Sequence, residues 1–119
     1  MDVKQIIRNW VKTFNQADVA TLADFYHDDA TNHQVNTDPV VGKEAIKKRF
    51  EEEFALADMH CIIENIFSDG DWAILEWKDP DGLRGCGFFH FKDQKIKFQR
   101  GYWDKLSFLR QHGLALPTE

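Results

Sequence analysis

The feature that most constrains the fold is the change to an alternating apolar and polar pattern after Met59. Alternation with a period of two is typical of strands that bury one face. The separators between successive segments are short, such as Asp69-Gly70, and turns of this kind join antiparallel neighbours because parallel strands need a long crossover. The sequence therefore predicts a meander of four strands, over Met59–Ser68, Asp71–Lys78, Leu83–Phe91 and Lys95–Trp103.

Helical spacing of apolar residues marks the segments before the meander. Apolar side chains recur every three or four residues over residues 3–14, which predicts an amphipathic helix with one stripe facing a core. Asp18 is a favourable N-cap for a short second helix, which is expected to carry Phe25 and Tyr26 inward. The polar residues 27–29 are expected to end that helix.

Two more helices and one strand complete the pattern. A short strand is predicted over Ala30–Val35, and a third helix is predicted after Gly42, over residues 43–57. A last helix is expected to begin after the N-cap Asp104 and to stop at Gly113. We expect a single α+β domain over residues 1–119, a cone in which three helices pack on a strongly curved antiparallel sheet and a short C-terminal helix follows.

Aromatic residues are unusually frequent, with ten Phe, four Trp and two Tyr in the chain. In the third helix, Ile46, Phe50 and Phe54 form an apolar stripe, whereas Glu51–Glu53 are expected to lie mainly in water. The excess of rings suits an ordinary bulky core, and it also suits a cavity lined by rings between the helices and the sheet. Composition alone leaves both interpretations open.

Charge and composition argue against several classes of function. A net charge of −5 disfavours a nucleic-acid surface, which needs a basic face to neutralise phosphates. No run reaches the roughly 18 apolar residues of a membrane span, and the first residues lack the apolar stretch of a signal peptide. Cys61 and Cys86 are too few for a disulfide framework, so we expect reduced thiols in a cytoplasmic protein. The histidines lack metal-ligand spacing, and neither a metal nor a cofactor is expected.

Three segments resemble the SnoaL-like branch of the nuclear-transport-factor-2-like superfamily. They are the residues closing the second helix (25–31), those opening the third (41–46) and the final strand with the residue after it (95–104). The resemblance covers almost the whole chain and implies a cone-shaped pocket between the helices and the sheet. It also implies a homodimer formed through the outer face of the sheet. It does not by itself imply an activity, because the superfamily contains enzymes, binding modules and dimerisation domains.

The catalytic positions of two enzyme families with this fold are occupied by other residues. Ketosteroid isomerases use a carboxylate base, a Tyr and a protonated Asp, and these positions fall on Gln34, Trp10 and Gly87. Limonene epoxide hydrolases use an Asp–Arg–Asp set, which falls on Trp77-Lys78-Asp79 and on Gly101. Gln cannot take up a proton at neutral pH, and only one of the three epoxide hydrolase groups is present. Neither reaction is expected.

The two comparisons agree on which strand residues face the cavity. They place Asn32 and Gln34 on the cavity side of the first strand and Gln99 on that of the last. The predicted pocket consists of Trp10, Phe14, Phe50, Phe54, Trp77, Phe89 and Trp103, with the amides of Asn32, Gln34 and Gln99. These side chains offer donors and acceptors but no obvious acid, base or nucleophile. We therefore expect a small, mostly apolar, neutral ligand.

Three further residues are candidates for catalysis. His33 lies between two inward-facing amides, so it reaches the cavity only through a bulge and is otherwise a surface or interface residue. Asp79 precedes a proline, which suits a turn, and Asp104 directly precedes a helix, which suits an N-cap.

Three functions stay open on the sequence alone. The first is a protein that binds a small apolar molecule. The second is an enzyme acting on a small carbonyl or cyclic compound with one of the three candidate residues. The third is a dimeric interaction module whose cavity is filled by its own rings.

Overall fold

The structure, a computed structural model, describes residues 2–117. The helices of this part of the chain are α1 (Val3–Asn15), α2 (Val19–Ala23), α3 (Lys43–Leu56) and α4 (Lys105–Gln111). The strands are β1 (Tyr26–Gln34), β2 (Val40–Val41), β3 (Ile62–Asp69), β4 (Trp72–Lys78), β5 (Arg84–Lys92) and β6 (Lys95–Trp103). The predicted α+β class, with helices before a meander of strands, is confirmed. None of the helices between residues 2 and 117 has the length and apolar character needed to cross a membrane.

The strands form one open sheet in the order β2-β1-β6-β5-β4-β3. Strands β3 to β6 are antiparallel neighbours, as their short turns predicted. Strand β1 pairs with β6 in parallel, with Asn32 opposite Gln99 and Gln34 opposite Gly101. The prediction of an antiparallel sheet did not include this pair. A parallel return is allowed here because α3 and most of the meander separate β1 from β6 in the chain.

The prediction for the second helix was wrong at its C-terminal end. Helix α2 ends at Ala23 and β1 already begins at Tyr26, whereas the helix was expected to continue through Tyr26. The Ile96 amide donates to the Phe25 carbonyl oxygen at 2.8 Å, so pairing with β6 draws this segment into the sheet. The register of β1 on β6 shifts between Tyr26 and Thr31. This irregularity interrupts the alternation that marks a strand in a sequence.

The helices pack on one face of the sheet, which we call the inner face and which carries Leu75, Phe89 and Gln99. Helix α1 buries four side chains in this core, and they are Ile6, Ile7, Trp10 and Val11. Leu22, Ile46 and Phe50 from α2 and α3 join the same cluster. The apolar stripe predicted for residues 3–14 therefore contributes directly to the core above the sheet.

The opposite face, which we call the outer face, carries exposed rings. Phe67, Trp72 and Tyr102 are 54%, 40% and 42% exposed. The Trp72 ring stacks on His90 with 4.7 Å between ring centroids, and Phe88 contacts Tyr102 edge-on at 5.9 Å. The aromatic excess of the sequence is thus divided between a buried set on the inner face and an exposed set on the outer face.

Candidate ligand-binding site

A space of about 650 Å³ lies between the inner face of the sheet and helices α1, α3 and α4. Nine of the ten residues predicted to line a pocket border this space, and they are Trp10, Phe14, Asn32, Gln34, Phe50, Trp77, Phe89, Gln99 and Trp103. Small-molecule sites in proteins have volumes of roughly 300–1,000 Å³ and mainly apolar walls. The size and the lining suit a small ligand, and the binding role of these residues stays a prediction.

Phe54, the tenth predicted residue, does not border this space. Its ring packs on Phe14 at 5.1 Å and on Phe50 at 6.0 Å between centroids, and it supports those two rings. Residues at i, i+4 and i+7 lie on one helix face, and in α3 these positions after Ile46 are Phe50 and Glu53. The prediction followed the i+8 position instead, where Phe54 lies behind the rings that border the space.

A chain of hydrogen bonds connects α1 to the floor of the pocket. The Trp10 indole Nε1–H donates to the Tyr26 hydroxyl oxygen at 3.1 Å, and this hydroxyl donates to Gln99 Oε1. Tyr26 is completely buried, and burial raises the pKa of its hydroxyl, which therefore stays protonated. We call this chain the Trp10 relay. Tyr26 was predicted to lie in a helix, and its role in linking Trp10 to Gln99 was not predicted.

A second chain begins at the other end of the pocket. The Trp103 indole Nε1–H donates to Gln34 Oε1 at 2.8 Å, and Gln34 Nε2 donates to Asn32 Oδ1 at 2.8 Å. We call this chain the Trp103 relay. Within residues 2–117, no group accepts a hydrogen bond from Asn32 Nδ2 or Gln99 Nε2, and neither atom is fully enclosed. Both relays therefore end in an amide NH₂ group that borders the space.

Two glycines make room for side chains of the pocket. A Cβ at Gly101 would collide with the carboxamide of Gln34, which lies across this strand position. A Cβ at Gly85 would lie 2.5 Å from the Trp77 ring and 2.7 Å from the Tyr102 carbonyl oxygen. Gly101 lies at the position that corresponds to a catalytic Asp in epoxide hydrolases of this fold. Here the absence of a side chain leaves room for Gln34.

Glu52 and Glu53 were both predicted to lie mainly in water and both border the pocket, and the less exposed of the two is Glu53. It is half-buried and borders the space together with Arg49, which lies one helical turn earlier on α3. Burial raises the pKa of the Glu53 carboxyl from 4.5 to about 7, with the positive charge of Arg49 opposing this effect and Glu52 adding to it. The expectation of a pocket without an acid or base is therefore wrong. The signal in the sequence was the position of Glu53, seven residues after Ile46 and three after Phe50, on the same helix face.

The three candidate catalytic residues lie at a strand position, in a turn and at a helix N-cap. His33 lies opposite Arg100 of β6 and does not border the pocket. Asp79 borders the pocket, but Oδ1 accepts from the amides of Asp81 at 3.0 Å and Leu83 at 2.9 Å, and Oδ2 accepts from the Gln111 side chain. These bonds hold the β4–β5 turn.

Asp104 is the N-cap of α4, the structural role that its position in the sequence suggested. Its carboxylate accepts from the Leu106 amide at 3.1 Å and from the Ser107 hydroxyl at 2.6 Å. The hydrogen bond from Ser107 lowers the pKa of Asp104. Among residues 2–117, no group of three or more His, Cys, Asp or Glu side chains is arranged to hold a metal ion.

The family profile of the SnoaL-like domain matches residues 7–99, which is most of the chain. The protein therefore belongs to the SnoaL-like domain family, as the resemblance of its motifs implied. A search of curated proteins finds no match. Membership explains the cone-shaped arrangement, but it does not assign an activity.

Solved structures with the same fold include proteins of several kinds. An NTF2-like protein of unknown function from Cytophaga hutchinsonii has a TM-score of 0.79 at 12% identity, covering 92% of this chain and 96% of that one. A protein with a ketosteroid isomerase-like fold from Catenulispora acidiphila, in complex with trimethylamine, has a TM-score of 0.82 at 17% identity, covering 96% of each chain. The epoxide hydrolase/cyclase-like enzyme SalBIII has a TM-score of 0.77 at 18% identity, covering 86% and 90%. These likenesses establish the nuclear-transport-factor-2-like fold.

The raised pKa of Glu53 predicts a pH-dependent cost to stability. Between pH 4.5 and about 7 the unfolded chain loses this proton while the folded protein keeps it, so stability falls as the pH rises through this window. The loss is complete above pH 7 and absent below pH 4.5. Glu53→Gln should therefore be up to about 3 kcal/mol more stable than the wild type at pH 8 and equally stable at pH 4.

Urea unfolding at pH 4, 6 and 8 measures this difference. The control is Glu51→Gln, which removes an exposed carboxylate of the same helix that does not border the pocket, and its effect should not change with pH in this way. A stability difference for Glu53→Gln that is the same at pH 4 and pH 8 would contradict the burial of this carboxyl in the folded protein.

Proposed function

We propose that the protein binds a small, mostly apolar, neutral molecule between the helices and the inner face of the sheet. The observation that carries the proposal is an open space of about 650 Å³ that is bordered by rings and floored by amides. Trp10, Trp77 and Trp103 come from one helix and two strands, and they border the space without filling it. This favours a binding site over an interaction module with a filled cavity.

The solved structures of the same fold are compatible with this proposal. One of them holds trimethylamine, and SalBIII is associated with pyran ring formation in a polyether. Both descriptions belong to those proteins. They are compatible with a fold that accommodates small organic molecules, while the ligand class proposed for this chain has to come from its own side chains.

A substitution that fills the space tests the proposal. Gly87 borders the pocket on the inner face, and Phe88 is the next residue and lies on the outer face. A ligand present at 100 times its Kd adds about 2.7 kcal/mol of stability, which raises the melting temperature. We expect 1-tetralone or benzophenone to raise it for the wild type and for Phe88→Leu, but not for Gly87→Leu. No rise for any member of an apolar panel would contradict the proposal.

We further propose that the outer face pairs with a second copy of the chain. Its exposed rings, Phe67, Trp72 and Tyr102, form an apolar surface of the kind that marks protein interfaces. Arg100 lies 4.8 Å from the centroid of the Phe98 ring on the same face, so the surface also carries a cation that can contact rings of the partner.

Charge introduced into the outer face tests the homodimer. Trp72→Glu with Tyr102→Glu should convert a dimer into a monomer in sedimentation velocity, because two like charges per copy would be buried at the interface. Leu116→Glu is the control, since Leu116 is 44% exposed and lies outside the sheet. A wild-type chain that sediments as a monomer at high micromolar concentration would refute this proposal.

We also propose a cytoplasmic location. Cys61 and Cys86 are both free thiols, which is typical of proteins in a reducing compartment. Burial raises the pKa of Cys61 to about 12, so this thiol stays protonated and unreactive.

A second candidate function is an enzyme that moves a proton on a carbonyl compound, and Glu53 is the observation that favours it. A carboxyl whose pKa lies near neutrality is suited to act as both base and acid. As base, its carboxylate would take a proton from the carbon next to a carbonyl group. The C–H electron pair would form the C=C bond of an enolate, and the carboxyl would then return a proton to carbon.

Deuterium exchange measures this step without knowledge of the natural substrate. Incubation of 1-tetralone in D₂O should give faster exchange at the carbon next to the carbonyl with the wild type than with buffer, by mass spectrometry. The enzymatic rate should rise through about pH 7 as Glu53 ionises, and Glu53→Gln should reduce it at least about 100-fold. Equal exchange with Glu53→Gln and the wild type would rule out this role, and Glu51→Gln, at an exposed position of the same helix outside the pocket, is the matched control.

A further inference from the structure

We propose that the NH₂ groups of Asn32 and Gln99 form a paired donor site for a carbonyl oxygen, so that the ligand is a neutral carbonyl compound with an apolar body. This inference rests on the proposed binding function and specifies which chemical group of the ligand the two amides hold. The two amides face each other across β1 and β6 as direct register partners. Both residues border the space, and they are only 7% and 5% exposed.

The relays fix which atom of each amide faces the space. An indole N–H can only donate a hydrogen bond, so Trp103 must meet the oxygen of Gln34. The Gln34 NH₂ group then meets the oxygen of Asn32, and the Asn32 NH₂ group remains. No flipped amide satisfies this chain, because an NH₂ group would then face a donor.

The Trp10 relay gives the same result for the second amide. The Trp10 indole donates to the Tyr26 oxygen, and Tyr26 has one hydroxyl proton left to donate. That proton is directed at the oxygen of Gln99, so the Gln99 NH₂ group is the part left for a ligand. Two independent chains, each starting at an indole, thus deliver a donor to neighbouring positions on the floor.

One carbonyl oxygen fits this pair of donors. Neighbouring strands lie roughly 4.8 Å apart, and partners in register on one face are close enough to share an atom between their side chains. A carbonyl oxygen accepts two hydrogen bonds through its two lone pairs. Each amide oxygen already accepts one hydrogen bond within its relay, whereas neither NH₂ group has an acceptor among residues 2–117. A ligand group that accepts therefore matches this place better than one that only donates.

The charges around the space favour a neutral carbonyl over a carboxylate. Five carboxylates border it, including Glu53 and Asp79, against two permanent cations, Arg49 and Lys105. An anionic ligand would meet this excess of negative charge in a partly desolvated site, and a neutral ketone, ester or lactone would not. The rings of the wall then cover the apolar body of the ligand.

Matched probes that differ only at the carbonyl test the inference. Benzophenone should bind about tenfold more tightly than diphenylmethane, since two neutral hydrogen bonds distinguish them, and diphenylacetate should bind more weakly than benzophenone. Titration calorimetry measures the three affinities. The infrared C=O stretch of bound, ¹³C-labelled benzophenone should also move to lower wavenumber than in hexane, which reports hydrogen bonding directly.

The decisive variant is Asn32→Asp. Aspartate keeps an oxygen for Gln34 Nε2 but replaces the free NH₂ group with a second oxygen. The advantage of benzophenone over diphenylmethane should disappear, and protonated benzhydrylamine should gain affinity. Gln99→Glu makes the same exchange in the Trp10 relay. The control is Asn65→Asp, which makes the exchange at an exposed position of β3 outside the pocket, and there the advantage of benzophenone should persist.

The outcomes separate this inference from the proposal it rests on. Equal binding of benzophenone and diphenylmethane, with no shift in the stretch, would overturn the carbonyl site while leaving an apolar pocket. Retention of the carbonyl advantage in both Asn32→Asp and Gln99→Glu would also overturn it. If neither these probes nor the pair 9-fluorenone and fluorene binds, the binding function itself fails.

Discussion

The hydrogen bond from the Trp10 indole to the Tyr26 hydroxyl joins α1 to the sheet in the most enclosed part of the core. A fully buried hydroxyl needs a hydrogen-bond partner, because burying it without one costs from about 1 to several kcal/mol of folding free energy. The indole supplies that partner and forces the hydroxyl to donate onward to Gln99. This contact thus links α1 to the sheet and sets the direction of a polar group in the pocket.

The pocket combines a floor of neutral amides with carboxyl groups elsewhere on its border. Isomerases and epoxide hydrolases of this fold have charged groups at the positions that correspond to Gln34 and Gly101. This chain has an amide at the first position and no side chain at the second, and the Gln34 carboxamide occupies the room that Gly101 leaves. The carboxyl group of the pocket whose pKa burial raises lies on α3 instead, at Glu53. The proposed carbonyl recognition and the proposed proton transfer therefore rest on different elements, the first on β1 and β6 and the second on α3.

Much of the fold was predictable, because alternation and helical spacing record which face of an element is buried. Short turns fixed the antiparallel meander, and nine predicted residues do border the space. The misassigned residues have local causes. Tyr26 lies at a register shift that hides the strand pattern, and Glu53 is an acidic residue on an apolar helix face. Neither the parallel β1–β6 pair nor the direction of the relays is encoded in local spacing, since both depend on contacts between distant segments.

Neutron diffraction from a deuterium-exchanged crystal tests the central claim most directly, because it locates the exchangeable hydrogens of the two amides. We predict deuterium on Asn32 Nδ2 and Gln99 Nε2 facing the pocket, with the deuterons of both indoles directed at Tyr26 and Gln34. Nuclear density with either amide oxygen facing the pocket, or with an indole deuteron directed elsewhere, would contradict the account.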